Sequence, residues 1–120
     1  MLPKKSRVSK DEIALIFKNG RFINSPNLTF KYIIQKGQST PKIAFIVPKT
    51  TSKKAVSRNL LRRRGYVVLK NYFDQIPHPM TGVFIFNKNS LQVFGQRKSK
   101  NNDINQYLHN EIKNILNKIN

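Results

Sequence analysis

Residues 49–73 read KTTSKKAVSRNLLRRRGYVVLKNYF, an uninterrupted stretch without proline in which seven of the first sixteen side chains are lysine or arginine. From Lys53 to about Phe73 the spacing predicts a long helix. On a helical wheel Val56, Leu60, Leu61, Val67, Val68 and Tyr72 gather on one side, while Arg58, Asn59, Arg62, Arg63 and Tyr66 gather on the other. Arg64 falls near the apolar side and Gly65 weakens a helix interior, so either Arg64 snorkels or the helix bends there.

Short apolar segments flank this helix. Upstream, Leu28, Phe30, Tyr32 and Ile34 alternate with Thr29, Lys31, Ile33 and Gln35, which is the period of a strand. Ile43 to Val47 forms a second strand stopped by Pro48, with a polar turn from Gly37 to Pro41 between the two; a hairpin is the simplest joining. Downstream, Pro77 and Pro79 end the helical segment and Val83 to Phe86 is a third strand. Residues 87–102 read as mostly loop, with room for one short extra strand.

Both ends add a helix. Ser9-Lys10-Asp11-Glu12 is a capping box, Ile13, Ile16 and Phe17 follow at helical spacing, and Gly20 stops the element, giving a helix over residues 10–19. Ile104, Tyr107, Leu108, Ile112, Ile115, Leu116 and Ile119 keep the 3.6-residue period, with Asn102 or Asp103 as cap. The order helix, strands, long helix, strand, helix predicts an α+β fold, one domain over residues 1–120, with helices largely on one face of a small sheet.

Charge narrows the function. The 120 residues carry 23 Lys and Arg against 5 Asp and Glu, a formal net charge of +18, and no acidic residue interrupts Ile13 to Phe73. A solvated surface mixes both signs; a one-sign field of this extent implies a polyanionic partner. With no cysteine there is neither a disulfide nor a thiolate metal site. The opening Met1-Leu2-Pro3-Lys4-Lys5 leads into polar residues without an apolar run long enough for a signal peptide or a membrane span, so a soluble cytoplasmic protein is expected.

Enzymatic chemistry by the chain's own side chains is improbable on this composition. Asp11 and Glu12 belong to a helix start, Asp74, Asp103 and Glu111 are scattered, and His78 and His109 are lone histidines. The five glycines are dispersed and build no phosphate loop. No catalytic residue and no metal ligand is assigned. The basic helix is another matter: Arg58 and Arg62 lie one turn apart, so two guanidinium forks can reach successive phosphates, with Asn59 between them as donor and acceptor. Such a helix suits a ribosomal protein or a DNA binder equally well.

Lys49, then Ala55-Val56-x-Arg58-Asn59-x-x-Arg62-Arg63, resembles the signature of the bacterial ribonuclease P protein family. Leu2-Pro3-Lys4-Lys5-x-Arg7-Val8-Ser9, Phe17-Lys18-x-Gly20-Arg21 and Ser25-Pro26-Asn27-Leu28 resemble its opening and first strand entry. Two departures stand out: Leu60 where a third basic residue is common, and Gly65-Tyr66 where a branched residue and an arginine are usual.

The resemblance implies a small two-layer α/β sandwich of the ribosomal protein S5 domain 2-like type, with a left-handed crossover through the long helix. It implies that Arg58, Asn59, Arg62 and Arg63 contact a catalytic RNA, with Lys49, Lys53 and Lys54 in the basic approach. It further implies a cleft between the first helix and the sheet for the single-stranded 5′ leader of precursor tRNA, for which Phe17, Phe30 and Tyr32 are the candidate wall, Tyr32 foremost. On this reading the partners are ribonuclease P RNA and precursor tRNA, with no obligate protein partner, and magnesium enters through the RNA, which performs the cleavage. A structural ribosomal protein that binds rRNA without a role in cleavage is the competing reading. A membrane-active cationic protein comes third, because the basic helix is embedded among strands.

Overall fold

The computed structural model describes residues 7–34, 41–76, 80–88 and 101–119. Helix α1 spans Lys10–Asn19, followed by strands β1 (Arg21–Asn24), β2 (Leu28–Ile34) and β3 (Lys42–Ile46). Helix α2 (Ala55–Leu69), a 3-10 turn (Phe73–Gln75), strand β4 (Met80–Phe86) and helix α3 (Asn101–Ile119) follow among the described residues.

The capping box closes as its residues predict: the Glu12 amide donates to Ser9 Oγ at 3.2 Å and the Ser9 amide to Glu12 Oε1 at 3.1 Å. Gly20 ends α1 with its amide on the Ile16 carbonyl, in extended backbone. A Cβ there would lie 2.4 Å from that carbonyl oxygen, so glycine answers a close approach and not a left-handed cap. The chain then turns straight into β1, a strand absent from the sequence reading because only Phe22 and Ile23 in it are apolar.

The sheet order is β1-β2-β4-β3. The expected β2–β3 hairpin is therefore not formed: β4 lies between them, antiparallel to β2 and parallel to β3. Burial explains the exchange. Six of the seven β4 residues are buried, so this strand needs cover on both faces and takes the centre, while α2 supplies the long connection that a parallel β3–β4 pair requires.

One sheet face, with Leu28, Phe30, Ile43, Phe45, Met80, Phe84 and Phe86, packs against Leu61, Val68 and Leu69 of α2 and Leu108, Ile112, Ile115 and Leu116 of α3. Helix α1 lies on the opposite face, where Ile16 and Val83 are fully buried apart from the main core. Two helices thus share one face and the third stands alone on the other. Glu111 fastens α3 to the β1–β2 turn, accepting hydrogen bonds from Ser25 Oγ (2.5 Å), the Asn27 amide (2.7 Å) and Asn27 Nδ2 (3.0 Å).

Helix α2 is rotated from the expected phase. Leu61, Gly65, Val68 and Leu69 are buried, whereas Val56 and Val67, assigned to the core side, are 61% and 57% exposed. Tyr66, assigned to the outer face, turns inward: its ring meets Phe45 edge-on and its Oη accepts from the Phe45 amide at 3.2 Å. The helix runs through Gly65 without a break, and burial draws the pKa of half-buried Arg64 below its ordinary value. Helix α3 already includes Asn102 and Asp103, which thus stand in its first turn rather than cap it. The expected turn at 37–40, the proline stop with His78, and most of the expected loop 87–102 lie outside the described residues.

Candidate nucleic-acid interface

The basic cluster is raised on a tied loop. After β3, the Pro48 carbonyl accepts from the amides of Thr51 (3.0 Å) and Ser52 (3.3 Å), closing a turn. Thr51 is buried and its Oγ1 donates to the Phe86 carbonyl at 2.8 Å, which pins the loop to the end of the central strand. Lys49, Lys53 and Lys54 project from this loop and are exposed. Lys54 is the α2 N-cap without a side-chain cap bond, and the first helical turn holds no acidic residue, so the positive end of the helix adds to the lysines instead of being neutralised.

The next turn of α2 carries the arginines. Asn59 and Arg63 are exposed and Arg62 is half-buried, with Arg62 Nη2 donating to Asn59 Oδ1. That bond occupies the side-chain oxygen of Asn59 as an acceptor. Arg58 differs from its predicted partners in what it bonds: its Nη1 donates to the carbonyls of Ser52 (3.0 Å) and Lys53 (2.9 Å). The structure therefore brings Lys49, Lys53, Lys54, Arg58, Asn59, Arg62 and Arg63 onto one contiguous segment, and gives Arg58 a backbone to hold.

The three aromatic candidates do not meet in one cleft. Phe30 is fully buried, its ring lying over Gly82 and packed on Phe84 and Tyr32, so it has no face left for a base. Tyr32 is half-buried on that same face against the α2–α3 core. Phe17 stands alone on the α1 side, 47% exposed, with Lys31 Nζ 4.9 Å from its ring centroid. Strand pairing sets Lys31 beside Phe22, which is 63% exposed. An aromatic, a cation and a second aromatic thus line up on the α1 face. Lys31 already stood on the alternate face of β2 in the sequence, but Phe22 had no signal without β1.

Among the described residues, His109 and Glu12 are engaged in structural bonds. His109 shares a 2.9 Å hydrogen bond with Tyr72 Oη. Burial works against a charged Glu12, but the bonds from Ser9 and the ion pair with Lys42 at 3.3 Å prevail, and its pKa lies below the ordinary carboxylate value. Among the described residues no three metal-ligating side chains cluster, and no helix is long and apolar enough to cross a membrane.

Comparison with known proteins agrees with the fold. No curated protein sequence matches the chain. The ribonuclease P protein of Thermotoga maritima superposes with a TM-score of 0.79 at 20% identity, over 95% of this chain and 97% of that one. A Staphylococcus aureus ribonuclease P protein, in a mutant with defective mRNA degradation activity, superposes with a TM-score of 0.77 at 16% identity, over 97% and 89%. At these identities the likeness speaks for the fold, while the Ribonuclease P family model matches residues 2–120. With a match over nearly its whole length, the chain belongs to the ribonuclease P protein family.

Proposed function

We propose that this chain, as a single cytoplasmic RNA-binding unit, is the protein subunit of ribonuclease P, binding the catalytic RNA through the loop–α2 segment and the 5′ leader of precursor tRNA on the α1 face. The observation that carries the first part is the array of Lys49, Lys53, Lys54, Asn59, Arg62 and Arg63 around the uncapped start of α2, with Arg58 behind it. Arginine forks and lysine point charges on one segment match a phosphate backbone, and releasing its counterions offsets the repulsion of bringing two RNAs together. Phe17, Lys31 and Phe22 support the second part: two rings offer stacking platforms and the ammonium between them a phosphate contact. Phosphodiester hydrolysis and its magnesium ions belong, on this reading, to the RNA.

Reconstitution tests it. Added to its own organism's ribonuclease P RNA at low magnesium, the protein stimulates removal of the leader from precursor tRNA. Binding to rRNA without any stimulation would assign it to the ribosome instead.

A further inference from the structure

Arg58 does not sit as a phosphate contact does. Both of its Nη1 bonds go to carbonyl oxygens of its own chain, those of Ser52 and Lys53, and the side chain is half-buried while Lys53, Lys54 and Arg63 are exposed. The two carbonyls are consecutive, and they belong to the two residues just before the N-cap Lys54. Three residues back along the chain from Lys54, Thr51 is anchored through Oγ1 to Phe86. The loop is consequently held twice, by the central strand at Thr51 and by the helix at Ser52 and Lys53.

We propose that Arg58 is a positioning residue, whose guanidinium fixes the Ser52–Lys53 backbone so that Lys53 and Lys54 are presented to RNA in one orientation. The inference rests on the RNA-binding reading of this segment and assigns a different task to one residue within it. An untied lysine-bearing loop would lose conformational freedom on binding, and a loop ordered beforehand does not. Arginine suits the task because one planar nitrogen carries two hydrogens aimed in fixed directions; the mobile ammonium of lysine has the charge without that geometry.

The two roles differ in how losses combine. If Arg58 acts through the lysines, removing it matters only while they are present; if it grips a phosphate of its own, its loss adds to theirs. Affinity is measured for the full-length protein with ribonuclease P RNA and, in parallel, with a mixed-sequence RNA duplex. Arg58→Ala weakens binding about tenfold in the native background and less than about twofold in Lys53→Ala/Lys54→Ala, a coupling typical of side chains that share one network. Arg58→Lys resembles Arg58→Ala. Equal losses in both backgrounds, with Arg58→Lys close to the native protein, would overturn the proposal.

A second measurement needs no variant that must fold. In the unaltered, RNA-free protein, nitrogen NMR of arginine side chains shows slow rotation of the Arg58 Nη1 group and fast rotation at exposed Arg63; fast rotation at both would also overturn it. Failure of the ribonuclease P reading is seen separately, as absence of cleavage stimulation or equal affinity for the two RNAs, and the coupling remains readable on the duplex.

Discussion

The ring of Phe45 occupies the space a side chain at Gly65 would need: a Cβ built there lies 2.6 Å from Cδ1 and Cε1 of that ring. The ring cannot yield, since it stacks on Phe84 with centroids 5.0 Å apart and meets Tyr66 edge-on at 4.9 Å. Alanine is a better helix former than glycine by about 1 kcal/mol, and taken alone that would make Gly65→Ala stabilising. Overpacking a rigid core costs about 1–3 kcal/mol. The collision prevails, and chemical denaturation of Gly65→Ala will show a lower midpoint than the native chain. A higher midpoint would mean that α2 can retreat from the sheet.

The same contact explains what the sequence could and could not disclose. Ser9 and Glu12 are three residues apart and the side chain of each bonds the backbone of the other, so the start of α1 was readable from the chain. The alternation of Leu28 and Phe30 likewise named a buried face correctly. The phase of α2 was not readable, because hydropathy ranks Val56 and Leu60 above Gly65, while packing selects the residue small enough to admit Phe45. Strand order failed for a related reason: proximity along the chain favours a β2–β3 hairpin, and only the two-sided burial of Val83 and Phe84 shows that β4 must stand between. In the candidate interface the charged segment was legible as composition. The division of labour between Arg58 and its neighbours depends on the loop's fold, which no periodicity encodes.

Adjacent leucines on α2 give a direct test of the helix phase. Leu61 is fully buried in the core, whereas Leu60 is partly exposed. Leu61→Asp places an unpaired carboxylate among apolar side chains, at a cost of several kcal/mol, and will abolish cooperative unfolding near room temperature. Leu60→Asp will remain folded, with a loss of about 1–2 kcal/mol in denaturant titration. Comparable severity at both positions would restore the phase read from the wheel, which sets Leu60 and Leu61 together on the apolar side.

Acid should loosen α1 first. Glu12 has its pKa lowered in the folded chain by the Ser9 bonds and by Lys42, despite partial burial. A depressed folded value means that its stabilising effect is complete above the ordinary carboxylate range and disappears as pH falls through the lowered value. Glutamine can still serve in the capping box but cannot pair with Lys42. Glu12→Gln will therefore cost about 1 kcal/mol at neutral pH, the pair with Lys42 being partly buried, and will flatten the acid limb of the stability curve. Thermal melts between pH 3 and 7 read both effects; an unchanged acid limb would remove Glu12 as its source.

Phe17 and Tyr32 were expected on one cleft wall, and the structure sets them on opposite faces, which makes them opposite controls. Phe17 is 47% exposed beside Lys31, so Phe17→Ala should leave the melting temperature within a few degrees of native. Its effect should appear in binding instead. Stacking on an aromatic face contributes roughly 1–3 kcal/mol per base, so affinity for precursor tRNA, measured with the reconstituted RNA subunit, will fall about fivefold or more, while affinity for mature tRNA, which has no leader, stays the same. Tyr32 is packed against the core, stacked on Phe30 with centroids 5.4 Å apart. Tyr32→Ala should lower the melting temperature through the cavity it leaves and weaken both tRNAs alike, to the extent that the fold loosens. A leader-selective loss at Tyr32 with unchanged stability would move the leader to the other side of the sheet, and an equal loss for both tRNAs at Phe17 would take the α1 face out of leader binding altogether.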